Sequence, residues 1–252
     1  MNQQKLVSII MPAYDAEKFI REAIESVLSQ SYENWELLVV NDCSQDNTTK
    51  VVTEYCIKDD RIKLFNNNKN SGPAITRNNA INQAKGRFLA FLDSDDIWLP
   101  EKLEIQIGVM LDEGYVFTYT DYHRISEDGL VSGKRINAPD TLNYFQLLRN
   151  TAITTSTVIL NVEAVGKIKM KETYYDDFTC WLEVMKRGFV AHRVNEDLAK
   201  YRVASSSVSR NKINSAIQVW KTYRTIERLG LVTSVWCFTG YALNALKKYK
   251  NF

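Results

Sequence analysis

Three aspartates in four residues, Asp93, Asp95 and Asp96, follow the apolar run Phe88 to Leu92. A carboxylate is too costly to desolvate unpaired, so the chain must leave its core where Asp93 begins. Carboxylates gathered at such a point suit a hard divalent cation, which takes oxygen ligands and holds phosphate oxygens at the same time. The plainer alternative is a charged turn capping the helix that Pro100 begins, and that reading fits Asp96. For Asp93 and Asp95 together, an Asp-x-Asp that concentrates negative charge favours metal and phosphate chemistry. Tyr14, Asp42 and Arg77 offer a ring to stack on a base, an acceptor for a ring N–H, and a cation for a phosphate or base edge. Taken singly they also read as a core-rim tyrosine, a turn or capping aspartate, and a solvated helix arginine. A second acid pair, Asp176-Asp177, precedes the apolar positions Trp181, Leu182 and Val184. Acids at a helix start commonly cap it and answer its dipole. The same setting keeps a carboxylate ionised and available as a base, and residue type alone leaves the two readings open.

These residues need elements to hold them. Leu6 to Met11 reads as a strand stopped by Pro12, followed by Asp15 as helix N-cap and an apolar helix face of Phe19, Ile20, Ala23, Ile24, Val27 and Leu28. Trp35 to Val40 is a second strand ending at Asn41-Asp42, with a helix marked by Val51, Val52, Tyr55 and Cys56 behind it. Ile62 to Phe65 is a third strand. Pro73 opens a helix that Gly86 closes as a C′ glycine, and Phe88 to Leu92 is the fourth strand. This alternation predicts an α/β fold, a parallel sheet with helices on both faces. In such sheets ligands bind outside the carboxyl ends of the strands, where Tyr14, Asp42 and Asp93–Asp95 all fall. Neither G-x-G-x-x-G nor a Walker A loop is present, which argues against dinucleotide or P-loop chemistry.

The 252 residues suit one large α/β domain or two small ones, and 45% hydrophobic content fits an ordinary globular core. A net charge of +2 gives no case for nucleic acid as a partner. Cys43, Cys56, Cys180 and Cys237 are scattered and only two histidines occur. That disfavours a zinc site or disulfide framework and fits a reducing cytoplasm. Met1 to Lys5 is polar, and the apolar run after it is too short for a signal peptide.

At this point a pattern emerges. The chain resembles the family 2 glycosyltransferases, which have the GT-A nucleotide-sugar fold. The resemblance lies in Ser8-Ile9-Ile10-Met11-Pro12-Ala13-Tyr14, Val40-Asn41-Asp42-Cys43-Ser44-Gln45-Asp46, Asn70-Ser71-Gly72-Pro73-Ala74 with Arg77-Asn78, and Leu92-Asp93-Ser94-Asp95-Asp96. It extends to Asp176-Asp177 with Trp181-Leu182 and to Tyr201-Arg202. It implies a nucleotide-sugar donor, UDP-type above all, contacted by Pro12, Ala13, Tyr14, Glu17, Asp42, Arg77, Asp93, Ser94 and Asp95. Asp42 would read the base, Tyr14 pack on it, Asp93 touch the ribose, and Asp95 with Asp93 hold Mg²⁺ or Mn²⁺. The second acid of the later pair, Asp177, matches the catalytic base. The chain departs from the pattern at Asp15, where such sequences often have Asn, and at Asp176, where Glu is common. Ala204 stands where many members carry His after the Tyr-Arg pair.

The resemblance divides the chain into a catalytic domain over 1–210 and a helical extension over 211–252. Residues 1–98 form the donor-binding half and residues 99–210 the half with acceptor and base. In the second half the patterning predicts a helix from Pro100 to Gly114, a strand over Tyr115 to Tyr122, and a hairpin turn at Glu127-Asp128-Gly129. A short helix over Thr141 to Arg149, a strand over Ile153 to Leu160, and a helix that Asp176-Asp177 opens and Gly188 stops complete it. Ile213, Ile217, Trp220, Tyr223 and Ile226 give one helical apolar face. Leu231 to Leu246 is an apolar run, ending in Lys247-Lys248-Tyr249-Lys250 and shorter than the roughly 20 residues of a transmembrane helix. Two packed helices and a basic-ended interfacial anchor at the inner face of the plasma membrane explain it equally well.

The chemistry implied is metal-dependent, inverting transfer of a sugar to a hydroxyl of a glycan or lipid-linked acceptor in surface-polysaccharide synthesis. Asp177 would take the hydroxyl proton. A sugar-phosphate nucleotidyltransferase would need a Gly-rich basic loop after the first strand, which Pro12 to Ala16 is not. A non-catalytic nucleotide-sugar-binding protein is disfavoured by the intact Asp95 and Asp177.

Overall fold

The continuous apolar runs of the N-terminal half become strands with both faces covered. In the computed structural model, which describes residues 5–203 and 212–249, β1 (Val7–Ala13), β2 (Trp35–Asn41), β3 (Ile62–Asn66) and β4 (Phe88–Phe91) run parallel. The helices α1 (Ile20–Leu28), α2 (Thr48–Lys58) and α3 (Gly72–Gln83) connect them. Successive strand residues point to opposite faces. Ile9, Met11, Leu37 and Val39 therefore meet α1 and α2, while Ile10, Leu38, Val40 and Phe91 lie in the core that includes α3.

After the acid cluster come β5 (Ile97–Trp98), α4 (Lys102–Asp112), β6 (Phe117–Ser126), β7 (Ser132–Ile136), β8 (Thr141–Leu142) and α5 (Tyr144–Leu148). A 3-10 turn, Thr155–Thr157, leads into β9 (Ile159–Asn161), α6 (Val162–Val165), α7 (Asp176–Lys186) and β10 (Ala191–Val203). All strands join one 10-stranded sheet, with main order β3-β2-β1-β4-β9-β6-β10-β5. The expected α/β architecture is present, but the sheet is mixed. β4 pairs parallel with β1 and antiparallel with β9, because the chain enters β9 from the acid-bearing end of β4.

Several local expectations are corrected. β1 continues through Pro12 to Ala13. Pro12 lies past Ile10, whose partner Phe91 ends β4, so its missing N–H breaks no ladder bond on that side. Asp15 does not cap α1, whose N-cap is Phe19; it adopts a φ of 44° and accepts from Gln45 N at 2.8 Å. Gly86 is no C′ residue, since α3 has already ended at extended Ala84. Glycine is required there by close packing, because a Cβ would stand 2.6 Å from Ser8 N and 2.7 Å from Leu6 O. The expected strand over Ile153 to Leu160 is mostly the 3-10 turn, in which Thr157 Oγ1 bonds back to Thr154 O at 2.7 Å. Thr141–Leu142 pairs with β10, so the helix expected from Thr141 starts at Tyr144.

At the C-terminus, α8 (Lys212–Lys221) runs into a π-helical segment, Thr222–Ile226, and α9 (Leu231–Tyr249) follows. The expected apolar face is rotated. Ile213 and Ile217 are exposed, whereas Val219 and Tyr223 are buried. The buried stripe of α8 runs through Ser215 and Val219 and continues at Tyr223, an ordinary i,i+4 spacing, and Tyr223 donates its hydroxyl to Leu148 O. The boundary at 210/211 and Ala204 lie outside the described residues.

Candidate active site

β4 carries the chain out of the core at Asp93, as burial requires. There Asp93 meets Arg77 of α3, whose Nη2 donates to Asp93 Oδ1 at 2.6 Å. The other end of the guanidinium, Nη1, donates to Asp176 Oδ2 at 2.7 Å. Burial works against the Arg77 charge, but Asp93 and Asp176 outweigh it and raise its pKa. Arg77 is thus a buried bracket between the two acid clusters, with both amino groups given to carboxylates.

Asp95 lies in the turn after Asp93. Burial, and then the charge of Asp93, pushes its pKa up to about 6. Among the described residues no cationic side chain forms an ion pair with it. Ser94 is half-buried between the two acids. Asp96 is different. It is fully buried, accepts from Ser156 Oγ and from Arg202 N, and so ties the 3-10 turn to β10 instead of capping α4. Burial and the charge of Asp95 raise its pKa well above the carboxylate range.

Asp177 is the second residue of α7. It accepts from Thr155 Oγ1 at 2.6 Å and from Phe178 N at 2.6 Å. Burial, then the neighbouring Asp176, raises its pKa to about 6. The members of the pair differ in environment. Asp176 is buried and engaged by Arg77, while Asp177 stays partly exposed and outside any ion pair among the described residues. That leaves Asp177 the more accessible acid of the pair.

The other sequence candidates gather at the ends of β1 and β2. Pro12 and Ala13 close β1, and Tyr14 beyond them is 51% exposed. Asp42 is buried and accepts from Ser71 N, Gly72 N and Asn67 Nδ2 at 2.8, 2.8 and 2.7 Å. It therefore caps α3 from the end of β2, and of the roughly four acceptor positions of a carboxylate one is left. Glu17 accepts from Asn47 N at 3.1 Å and Asn47 Nδ2 at 2.8 Å, fastening the α1 approach to the loop before α2.

Among the described residues, no group of three or more acid, His or Cys side chains gathers into a metal cage. The donor set nevertheless suits a hard cation. Asp95 is an ion-unpaired, partly buried carboxylate beside a second one, and Mg²⁺ is characteristically held by one or two carboxylates with substrate phosphates supplying the rest.

Arg202, given by the sequence only as half of a motif, is a buried organiser. Its Nε donates to Asp95 O, Nη1 to Glu127 O and Nη2 to Glu22 Oε2, at 2.9, 2.8 and 2.8 Å. Beyond it, Lys18, Phe19, Ser126, Glu127 and Asp128 line an open cleft of about 550 Å³. Thr155 and Ser156 were not legible as site residues. The run of hydroxyls from Thr154 to Thr157 is the signal that could have found them, since such residues favour tight turns over strands.

The family model described as glycosyl transferase family 2 matches residues 8–168. The chain is 42% identical to a putative teichuronic acid biosynthesis glycosyltransferase, TuaG of Bacillus subtilis (strain 168), over 98% of both chains. It is 43% identical to the Escherichia coli UDP-Glc:alpha-D-GlcNAc-diphosphoundecaprenol beta-1,3-glucosyltransferase WfgD, over 85% of this chain and 84% of that one. Among solved structures, S. aureus TarS 1-349 in complex with UDP superposes with a TM-score of 0.70 at 19% identity, covering 98% of this chain and 73% of that one. The Pyrobaculum calidifontis mannosyltransferase PcManGT, in complex with GDP-Man and Mn²⁺, gives 0.71 at 15% identity, over 98% and 75%. The protein has the GT-A fold, and it belongs to glycosyl transferase family 2.

Proposed function

We propose that this glycosyltransferase moves a sugar, with inversion, from a UDP-type donor to a hydroxyl of a lipid-linked, diphosphate-bearing glycan in surface-polysaccharide synthesis. The observation that carries the reading is the division of labour among the acids. Asp93 and Asp176 are held by Arg77, leaving Asp95 and Asp177 outside ion pairs among the described residues, linked through the Thr155–Ser156 turn. Tyr14 offers an exposed ring for the base, and the remaining acceptor position of Asp42 suits a ring N–H. Asp95 and Asp93 would hold Mg²⁺ or Mn²⁺. A cation there supplies positive charge against a diphosphate leaving group. Asp177 removes the proton from the acceptor hydroxyl as that oxygen attacks the anomeric carbon from the face opposite the departing diphosphate. Similarity to WfgD, named for a UDP-Glc donor and an undecaprenol-diphosphate acceptor, supports the donor and acceptor classes.

A lipid-linked acceptor would call for work at the inner face of the plasma membrane. No described helix is long and apolar enough to cross a membrane. On α9, however, Leu231, Val232, Val235, Trp236 and Leu243 form an exposed apolar stripe, with Arg149 stacked 4.2 Å from the Trp236 ring. An apolar stripe beside basic residues suits an anionic lipid surface.

Purified protein should be incubated with a panel of nucleotide-sugars, Mn²⁺ and an alkyl-linked GlcNAc diphosphate, with free nucleotide diphosphate and product stereochemistry measured. Acceptor-dependent UDP release with an inverted product supports the reading. Release only from GDP- or dTDP-sugars, or retention of configuration, overturns it.

A further inference from the structure

The 3-10 turn Thr155–Thr157 is held from behind and reaches forward. Behind it, Trp98 Nε1 donates to Ser156 O at 2.7 Å, and Gln106 Nε2 donates to Thr157 O at 3.0 Å. In front, Ser156 Oγ accepts from Asp93 N at 3.1 Å and donates to Asp96, while Thr155 Oγ1 donates to Asp177 Oδ2 at 2.6 Å. The contrast with Thr157 is informative. Thr157 satisfies its hydroxyl locally on Thr154 O, the usual habit of a threonine in a turn. Thr155, equally buried, sends its hydroxyl to an acid 22 positions away. Phe178 N already occupies Oδ1 of that acid, so the two donors together fix the plane of the carboxylate.

We propose that Thr155 is a positioning residue for sugar transfer: its hydroxyl sets the orientation of the Asp177 carboxylate toward the acceptor hydroxyl, and its turn locks that carboxylate in register with the Asp93–Asp95 end of the donor site. The inference rests on Asp177 being the base. The charged and titratable groups around Asp177 are Asp176, Arg77, Tyr175 and Cys180. Asp176 and burial disfavour its charge, while Arg77, Phe178 N and the Thr155 hydroxyl favour it. Removing the hydroxyl therefore shifts the balance toward the protonated acid.

The test compares wild type, Thr155→Val, Thr155→Ser and Asp177→Asn. Transfer from UDP-glucose to an alkyl-linked GlcNAc diphosphate is followed from pH 5 to 8.5, with UDP binding measured separately by calorimetry. Thr155→Val should lower kcat at pH 7 roughly tenfold and move the acid limb of kcat up by about one pH unit, the size expected for losing one charge-assisted hydrogen bond. Thr155→Ser should restore both, and UDP affinity should stay within about twofold in all variants. An unmoved pH limb in Thr155→Val, or a Thr155→Ser as impaired as Thr155→Val, overturns the positioning role. If the valine variant fails to fold, Thr155→Ser against Thr155→Ala carries the same comparison. Full transfer by Asp177→Asn would instead overturn the base assignment, whatever the Thr155 variants do.

Discussion

Arg77 Nη1 donates to Asp176 Oδ2 at 2.7 Å, joining residues 99 positions apart in a buried ion pair. The pair separates the roles of two adjacent aspartates. Asp176→Asn removes one of the two charges facing a buried guanidinium, and breaking a buried pair from one side costs about 3–5 kcal/mol. Asp93 remains on Arg77, so the low end of that range is expected, read as a drop in the denaturation midpoint. Asp177→Asn should leave the midpoint nearly unchanged and lower transfer by about 10²–10⁴-fold. Equal destabilisation by both substitutions would refute the division.

The raised pKa of Asp177, about 6, gives transfer a direction with pH. A base must be ionised to accept a proton, so kcat should climb through pH 6 and level off above about pH 7. Rates measured from pH 5 to 8 at saturating donor check this. A limb near pH 4 would mean that the carboxylate is more solvated during turnover than the structure shows.

Chelation should abolish turnover, and Mg²⁺ or Mn²⁺ should restore it, because Asp95 and Asp93 present oxygen ligands with no cage of their own. Asp95→Ala should lose the metal response while keeping its melting temperature, since its carboxylate lies outside any ion pair among the described residues. Undiminished transfer in EDTA would remove the metal from the scheme.

Lys102 is a fully buried cation. Its Nζ donates to Gln106 Oε1 at 2.5 Å and stands 4.9 Å from the Trp98 ring, and burial pulls its pKa down to about 7. An unfolded lysine titrates near 10.4. Between those values the unfolded chain binds the extra proton, so this residue makes stability rise with pH from about 7 to about 10.4, by at most roughly 1.4 kcal/mol per unit. Below pH 7 the burden is constant. Lys102→Met should therefore gain most over wild type at pH 6 and least at pH 9.5, in paired denaturant titrations. Parallel pH curves would show that the amine stays charged in the folded protein.

The exposed stripe of α9 should bind lipid. Val232 is 84% exposed and Trp236 50%, so Val232→Glu with Trp236→Glu should spare the fold. The double variant should reduce co-sedimentation with vesicles containing anionic lipid several-fold, with transfer to a short-chain acceptor retained. Unchanged pelleting would leave the stripe without a lipid role.

Legibility followed burial. The first strands were readable because Ile9, Ile10, Leu37 and Leu38 are apolar on both faces, and the Asp93–Asp95 pair because carboxylates without partners are costly in a core. β10 was not readable, since its residues mix Arg193, Glu196 and Asp197 with Val194 and Leu198. Its acids and bases are satisfied by distant partners, such as His123 with Asp197 and Arg193 with Asp121, that no local pattern announces. Thr155 was hidden in the same way. Its partner lies on another helix, and a hydroxyl run suits strand and turn alike. The helical face over Ile213 to Ile226 was misplaced because α8 buries Ser215 and Val219 and leaves Ile213 and Ile217 exposed, so the apolar spacing did not mark the packed side.

β4 is bonded along both edges, to β1 on one side and β9 on the other. Residues 1–98 cut out alone would leave the second edge raw, a row of unpaired N–H and C=O groups open to any passing strand. This N-terminal half therefore makes a poor free-standing module. Grafts between relatives that swap the chain at the acid cluster should precipitate unless β9 travels with β4.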